Sequence, residues 1–195
     1  MKRPEDEITL GWLRLAAVLY GRIYHRIHLI SPCPLPRTGP GILISNHLSG
    51  LDPVLIQAVC PRLIVWMMAA EYGRSRILRP LFRATRTIYV NRTGHDLTAT
   101  RQALRALREG MIVGIFPEGR IETTGDLLPF HPGTALLAER ASVPIYPVKI
   151  EGSTRGQEMP RVFLRRQEIT MKFGPSVRLS PEDSSQNLRE TLENL

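Results

Sequence analysis

Short apolar runs separated by amphipathic segments make up most of this chain. Three of the runs are rich in branched apolar residues and too short for ordinary helices, and they cover residues 41–45, 63–69 and 111–116. Runs of this kind, bounded by turn residues, predict buried strands. Weaker strand patterns cover residues 87–90, 143–150 and 162–173. The segment 143–150 contains Pro144 and Pro147, which indicate an irregular or edge strand.

Helical patterns fill the intervals between these predicted strands. They cover residues 52–60, 96–109, 133–140 and 186–195. Gly110 marks the end of the second helix, and residues 180–183 form a start signal for the last one. Strands that alternate with helices in this way predict a single α/β domain with a mixed, largely parallel sheet flanked by helices.

Residues 8–30 are mostly apolar but include several arginines and histidines, so the segment is too charged to span a bilayer comfortably. In helical projection its cations gather on one side and its aromatic and aliphatic residues on the other. This pattern favours an amphipathic helix lying on an anionic membrane, and an ordinary surface helix packed on the domain has the same pattern. We therefore divide the chain into a membrane-interface helix, residues 1–30, and an α/β domain, residues 31–195.

The chain has 195 residues and a net charge of +8, with 23 arginines and 3 lysines. Such a balance fits an anionic partner: nucleic acid, anionic lipid or a phosphorylated substrate. An arginine-rich composition bias explains part of the excess. The two cysteines, Cys33 and Cys60, match no metal or redox spacing, and no histidine cluster completes a zinc site. We expect reduced thiols, a cytoplasmic setting and no metal.

Residues 74–86 form a local extreme of positive charge. Five arginines are interleaved there with apolar residues, at positions 74, 76, 79, 83 and 86. The pattern is typical of a solvated helix face, and it also fits a surface that meets lipid head groups.

The first predicted strand leads directly to a histidine, His47, and a carboxylate follows five residues later at Asp52. A histidine between a strand and a helix lies where open α/β sheets place their sites. A neighbouring carboxylate can fix the tautomer of such a histidine and stabilise its protonated form. The Asp52-Pro53 pair also reads as a helix start, with Asp52 as the N-cap. The simpler alternative is therefore a helix cap beside a solvated histidine.

Later strands also end in polar residues. The strand at 87–90 leads to Arg92, and the strand at 111–116 leads to Glu118, Gly119 and Arg120. Because parallel strands end at the same edge of a sheet, we expect these residues to lie near His47 and Asp52. One base, two carboxylates and two cations would then share one site.

These motifs together resemble the glycerolipid acyltransferase family, also called the lysophospholipid or 1-acylglycerol-3-phosphate acyltransferase family. The first family block is met by Asn46, His47 and Asp52, and the second by Arg92. The third, Phe-Pro-Glu-Gly, is met by residues 116–119, and the proline-containing fourth by residues 143–148. Four blocks in the right order, from about residue 40 to 152, are far more specific than any single motif.

One departure concerns the third block. Many family members follow Glu-Gly with Thr-Arg-Ser, whereas Arg120 follows Gly119 directly in this chain. The variant is similar to the acyltransferase half of the bifunctional 2-acylglycerophosphoethanolamine acyltransferase/acyl-carrier-protein synthetase. This similarity makes lysophosphatidylethanolamine a candidate acceptor in addition to lysophosphatidic acid.

The resemblance implies a glycerol-3-phosphate acyltransferase-like fold, with His47 as general base and Asp52 as its orienting acid. Arg92 and Arg120 are suited to the acceptor phosphate. Glu118 would bind acceptor hydroxyls or fix an arginine, and Gly119 would permit close backbone approach. Asn46 and Pro144 would support the site. A route through an acyl-Ser49 intermediate is a minor alternative, because a thioester needs no further activation.

We therefore expect a lysophospholipid O-acyltransferase that uses acyl-CoA or acyl-carrier protein as its donor and no cofactor. It would work as a peripheral protein at the cytoplasmic face of the cell membrane and would not bind nucleic acid. Two alternatives stay open: a transacylase that needs no thioester, and a non-catalytic basic module that binds anionic lipid or nucleic acid.

Overall fold

A computed structural model describes residues 11–12, 15–76, 78–91, 96–157, 161–179 and 185–195, and seven strands form one sheet within these ranges. The strands are β1 (Arg26–Leu29), β2 (Gly41–Ser45), β3 (Ile64–Ala69), β4 (Ile88–Val90), β5 (Ile112–Ile115), β6 (Ile145–Glu151) and β7 (Glu168–Phe173). The α-helices are α1 (Asp52–Val59), α2 (Arg79–Ala84), α3 (Leu97–Arg108), α4 (Pro132–Ala141) and α5 (Ser185–Glu193). Two short 3₁₀ helices cover Ala70–Arg74 and Arg161–Leu164.

The strand order across the sheet is β1-β7-β6-β2-β5-β3-β4. Strand β2 lies at the centre, parallel to both β6 and β5, and β3 and β4 extend the parallel part. Only the β6–β7 pair is antiparallel among these strands, and β1 runs parallel to β7. The prediction of a mixed, largely parallel sheet flanked by helices is confirmed. Residues 180–183, the predicted start of the last helix, lie outside the described residues.

The core has two halves because alternate strand residues point to opposite faces of the sheet. On one face, Ile42 and Ile44 of β2 pack with buried residues of α3, α4 and α5. On the other face, Leu43 packs with Leu55 and Ile56 of α1. All five residues of β2 are buried, which explains why this strand reads as a continuous apolar run.

Residues 143–150 were predicted to form an irregular or edge strand, and the edge position is wrong. Strand β6 lies between β7 and β2 and pairs with both. Its ladder to β7 covers Val148 to Glu151, and a separate bridge joins Ile145 to Val177. Pro147, which has no N–H to donate, lies between these two, and its carbonyl accepts the N–H of Gly174 at 3.0 Å. An interruption in the neighbouring pairing therefore accommodates the proline in an interior strand.

The N-terminal helix predicted to reach residue 30 ends earlier. Residues 11–12 and 15–19 are helical, Tyr20–Tyr24 form one π-helical turn, and His25 is extended. Residues 26–29 instead form β1, whose flanking N–H groups at Arg26 and Ile30 donate to Gln167 and Met171. A partner strand more than 140 residues away supplies this ladder, so local periodicity could not reveal it. Residues 1–10, 13 and 14 of the predicted helix lie outside the described residues.

No helix in the described part of the chain is both long and apolar enough to cross a membrane.

Candidate active site

The site forms where β2 and β5 end side by side. The two strands are parallel, and Ile44 of β2 is in register with Ile115 of β5. The chain leaves β2 towards His47 and leaves β5 towards Glu118. Both residues therefore emerge at the carboxyl edge of the sheet, as their positions in the sequence predict.

His47 and Asp52 are in direct contact. The Nδ1 atom of His47 lies 3.0 Å from Oδ2 of Asp52. The Asp52 side chain is fully buried, whereas 16% of the His47 side chain is exposed. An ionised carboxylate can only accept, so Nδ1 carries the proton in this contact and Nε2 keeps a free lone pair. The geometry is that of a histidine prepared to take a proton at Nε2.

Two further N–H groups and two hydroxyls surround the Asp52 carboxylate. The N–H groups of Leu48 and Ser49 donate to Oδ2 at 2.7 and 2.8 Å. The hydroxyls of Ser49 and Ser153 lie 3.0 and 2.8 Å from Oδ1. A buried carboxylate stays ionised only with such compensation, and here every contact is supplied by the fold.

These contacts correct the predicted cap. Asp52 is the first residue of α1, Leu51 occupies the N-cap position, and neither supplies a side-chain cap hydrogen bond. The carboxylate of Asp52 turns back towards the loop that carries His47 rather than forward into the helix. It orders the 47–49 turn instead of capping α1.

The imidazole ring of His47 lies flat on an aromatic side chain. Its centroid is 3.9 Å from that of Phe116, with 16° between the ring planes. Phe116 stacks in turn on Trp66 at 4.9 Å and 8°. With Asp52 at Nδ1 and Phe116 against one face, the ring has little rotational freedom. The Phe116 of the third sequence block thus has a definite structural role.

Glu118 holds the backbone of the site. Its Oε1 accepts the N–H of His47 at 2.9 Å, and its Oε2 accepts the N–H of Leu128 at 3.1 Å. The side chain is almost fully buried, and this burial raises the pKa of the Glu118 carboxyl above its ordinary value. The structure brings Glu118 to His47 as the sequence predicts, but the bond to the His47 backbone was not foreseen.

Glu122, which the motif analysis did not select, braces the same turn. Its N–H donates to the carbonyl of His47 at 2.7 Å. Its buried carboxylate accepts the N–H of Gly125 and lies 3.5 Å from Nε of Arg155. His47 is therefore fixed by two neighbouring glutamates, one at its N–H and one at its carbonyl.

The two predicted supporting residues, Asn46 and Pro144, lie at different ends of the sheet. The amide of Asn46 donates to the Ile150 carbonyl at 2.9 Å and accepts the Ile150 N–H at 2.8 Å. It therefore continues the β2–β6 pairing beside His47. Pro144 precedes β6, and its carbonyl accepts the N–H of Ile42 near the start of β2. The structure thus separates Pro144 from the carboxyl edge that carries His47.

Gly119 and Arg120 follow Glu118 on the loop. Gly119 has a φ of +68°, which favours glycine, and a Cβ there would meet the ring of His131 at 2.7 Å. Arg120 is exposed. Arg92, the other predicted phosphate ligand, lies outside the described residues.

A polar cleft of about 400 Å³ borders the site. Asn46, Leu48, Glu118 and Glu122 form part of its wall, beside cationic and anionic side chains from the end of β6 and the segments around it. His47 itself does not line the cleft, but its backbone is bonded to two of these residues. The volume lies in the range of small-molecule sites.

A buried carboxylate bonded to a histidine at the carboxyl ends of parallel strands places this candidate site where open α/β sheets commonly bind their ligands. The family model described as Acyltransferase matches residues 26–151, more than half of the chain. The chain belongs to this acyltransferase family. The family resemblance found in the sequence blocks is thereby confirmed.

Several relatives are 1-acyl-sn-glycerol-3-phosphate acyltransferases. The human beta form is 32% identical over 172 residues, which cover 86% of this chain and 61% of the relative. A protein of that name from Borreliella burgdorferi is 29% identical over 122 residues, which cover 60% of this chain and 47% of the relative. The chain thus spans about half to three fifths of the length of these relatives.

A solved structure shows the same fold. The crystal structure of the 1-acyl-sn-glycerophosphate acyltransferase from Thermotoga maritima matches with a TM-score of 0.73 and 18% identity. The match covers 98% of this chain and 80% of that one.

Proposed function

We propose that this protein is a lysophospholipid O-acyltransferase that moves a fatty acyl group from a thioester to a free glycerol hydroxyl. The observation that carries the proposal is the His47–Asp52 contact, which leaves Nε2 of His47 available as a base. Membership of the acyltransferase family and the names of the relatives support this class of reaction.

The reaction begins when the acceptor hydroxyl oxygen attacks the thioester carbonyl carbon and gives its proton to Nε2 of His47. Asp52 stabilises the imidazolium that forms, because Oδ2 already accepts the Nδ1 proton. The carbon–sulfur bond then breaks, and the imidazolium returns the proton to the leaving sulfur. The products are an ester and a free thiol, and His47 is neutral again.

The position of Ser49 favours direct transfer over an acyl-serine intermediate. Its side chain is fully buried, and its hydroxyl lies 3.0 Å from Oδ1 of Asp52 and 2.6 Å from Oγ of Ser153. A nucleophile must be exposed to the donor and activated by a base. Ser49 instead belongs to the hydrogen-bond network around the Asp52 carboxylate.

Arg92 and Arg120 remain our candidates for the acceptor phosphate, since guanidinium groups match phosphate oxygens. Arg120 is exposed on the loop that begins at Glu118. The relatives are named for 1-acyl-sn-glycerol-3-phosphate, so lysophosphatidic acid is the first acceptor to test. The early position of Arg120 keeps lysophosphatidylethanolamine as the second.

We also propose that the protein lies on the cytoplasmic face of the cell membrane, with its N-terminal helical segment in the interface. An exposed apolar row supports this: Trp12, Leu15, Leu19 and Ile23 recur at helical spacing, and Trp12 and Ile23 are 67% and 71% exposed. The net charge of +8 favours a surface that contains anionic lipid.

The decisive experiment is a donor-by-acceptor matrix with the purified protein. Acyl-CoA and acyl-carrier-protein thioesters are each paired with lysophosphatidic acid and lysophosphatidylethanolamine in mixed micelles, and ester formation is measured by mass spectrometry. One further arm contains a diacyl phospholipid and a lysophospholipid without any thioester.

We expect ester formation only when a thioester is present. Equal activity in the thioester-free arm would identify a transacylase. Binding to anionic vesicles with no acyl transfer in any arm would identify a lipid-binding module, and a matched gel-shift assay would detect nucleic-acid binding.

A further inference from the structure

Ser153 reaches the site from a loop that none of the sequence motifs includes. It follows β6 through Gly152, which has a φ of +82°, and a Cβ at Gly152 would lie 2.1 Å from the carbonyl oxygen of Glu168. Only glycine fits this close approach to β7. The turn brings the buried hydroxyl of Ser153 to within 2.8 Å of Oδ1 of Asp52.

Three oxygen atoms, Oγ of Ser49, Oγ of Ser153 and Oδ1 of Asp52, form a triangle of mutual contacts. The triangle has three contacts but only two hydroxyl protons to form hydrogen bonds. Ser49 Oγ and Ser153 Oγ are 2.6 Å apart and lie 3.0 and 2.8 Å from Oδ1 of Asp52. Two hydroxyl protons must serve these three contacts, because an ionised carboxylate contributes none. The two shortest edges, Ser49–Ser153 and Ser153–Asp52, have the usual length of O–H···O bonds.

The contact lengths give the direction of the chain. Ser153 is closer to Oδ1 of Asp52 than Ser49 is, at 2.8 against 3.0 Å, which assigns the Ser153 proton to Oδ1 and leaves the Ser49 proton for Ser153. Ser49 also accepts the N–H of Leu51 at 3.2 Å, so the chain begins at the backbone. Successive bonds of this kind polarise and strengthen one another. The order is then Leu51 N–H to Ser49, Ser49 to Ser153, and Ser153 to Oδ1 of Asp52.

We infer that Ser153 is a positioning residue for acyl transfer, as the terminal donor of a relay that starts at the Leu51 amide and ends on Asp52. This inference rests on the proposed function of His47. The relay binds Oδ1, while the ring Nδ1–H of His47 and the backbone N–H groups of Leu48 and Ser49 bind Oδ2. It thereby holds the carboxylate turned towards the imidazole.

The triangle also makes the two serines substitutes for one another. Without Ser153, the Ser49 hydroxyl still lies 3.0 Å from Oδ1 and can rotate its proton to it. Without Ser49, Ser153 keeps its own bond to Oδ1. Only loss of both hydroxyls leaves Oδ1 buried without a hydroxyl donor, so the two losses cannot be independent.

The test is a double-mutant cycle of Ser49→Ala and Ser153→Ala, with kcat and KM measured for the active donor and acceptor pair. We expect kcat to fall about 3-fold for Ser49→Ala, about 10-fold for Ser153→Ala and about 300-fold for the pair, with KM nearly unchanged.

Two further variants separate positioning from folding. Ser153→Thr keeps the hydroxyl, and we expect kcat within about 3-fold of wild type. Ser31→Ala removes a hydroxyl that both accepts from and donates to the Phe173 backbone, on β7. It serves as the control for loss of a structural hydroxyl and should leave kcat and KM unchanged.

A readout without substrate makes the result independent of the acyl transfer assay. In the ligand-free protein the Nδ1 proton of His47 should give a downfield NMR signal that is absent from His47→Ala. We expect the signal to persist in both single variants and to shift or broaden in the double variant.

Two results would overturn the inference: a double loss no greater than the product of the single losses, or equal losses for Ser153→Ala and Ser153→Thr. If wild type transfers no acyl group, the proposed function fails, and the NMR signal alone decides whether the relay holds the contact between His47 and Asp52. An unchanged signal in a folded double variant then overturns the relay.

Discussion

The carboxyl end of β2 and the N-terminal helical segment, residues 11–12 and 15–24, differ in the burial and hydrogen bonding of their side chains. At the edge of β2, Asp52 is fully buried and both of its oxygens accept hydrogen bonds from the surrounding fold. In the N-terminal segment, Leu19 and Ile23 are 47% and 71% exposed. The end of β2 therefore has buried polar groups that are hydrogen-bonded, whereas the N-terminal segment has apolar side chains exposed on the surface.

The two regions teach different things about function. Buried, fully bonded polar groups show a site whose geometry is set before any substrate arrives. An exposed apolar row is typical of a surface that meets an apolar partner. If both interpretations hold, chemistry and membrane attachment can be damaged separately, and the following variants test that separation.

The largest expected effect is on chemistry alone. His47→Ala removes the base, and we expect kcat to fall by about 10³- to 10⁴-fold, in line with loss of general base catalysis. Vesicle binding and the melting temperature should stay close to wild type. His28→Ala is the control, since His28 is an exposed histidine whose Nε2 contacts Glu168 on β7. Wild-type turnover in His47→Ala would contradict the mechanism.

The second effect should fall on attachment alone. Leu19→Glu combined with Ile23→Glu places two charges in the exposed apolar row, and we expect binding to anionic vesicles to weaken about 100-fold. Transfer to an acceptor dispersed in detergent should be unchanged. Leu97→Glu with Leu136→Glu makes the same change at exposed leucines of α3 and α4 and controls for charge. The measurement is flotation of each double variant with anionic vesicles. Equal loss of vesicle binding in the two double variants would argue against the interfacial role of the N-terminal segment.

A third variant tests how far stability and chemistry are coupled at the site. Asn46→Ala removes two hydrogen bonds to Ile150, and we expect the free energy of unfolding to fall by about 2 kcal/mol and kcat by about 10-fold. Gln57→Ala is a matched control, because Gln57 binds the Arg62 carbonyl and the Ile64 N–H at the start of β3. It should lose similar stability with no change in kcat. Equal effects on kcat would show that Asn46 acts through stability only.

The smallest effect concerns Glu118 and pH. Because burial raises the pKa of Glu118, the folded protein holds this proton more tightly than the unfolded chain. The free energy of unfolding contributed by Glu118 therefore falls as pH rises from the ordinary glutamate range to the raised pKa, and is constant above it. Glu118→Gln should remove this slope and cost about 1 kcal/mol through one lost main-chain acceptor. Chemical denaturation between pH 4 and 8, with exposed Glu71→Gln as control, measures both.

Much of the fold was predictable because the central strands carry strong local patterns. The apolar runs at β2, β3 and β5 are buried and sit where the pattern places them. Strand β1 was missed because Arg26–Leu29 continues a helical pattern and gains its ladder from β7, far away in the sequence. Strand β6 was misplaced at an edge because its proline is tolerated by a break in the β7 pairing.

The candidate site was predictable where its residues follow strands. His47, Asp52 and Glu118 come together as the end-of-strand positions indicate. The contacts of Ser153 and Glu122 had no local signal, because each depends on a turn that the folded sheet alone brings back to His47. The direction of the Asp52 side chain was likewise invisible in Asp-Pro, a pair that suits both a helix start and a turn.

The two tyrosines of the π-helical turn fix a geometry that becomes important at a surface. The hydroxyls of Tyr20 and Tyr24 each donate at 2.6 Å, to the carbonyls of Phe163 and Leu164. The rings stack on one another with centroids 5.4 Å apart. Two side-chain hydrogen bonds therefore hold the turn against residues 161–164, and together they restrict its rotation more than one bond would. Any plane on which the apolar row rests is held at one angle to the strands, so every molecule presents the sheet edge that carries His47 to that plane in the same orientation.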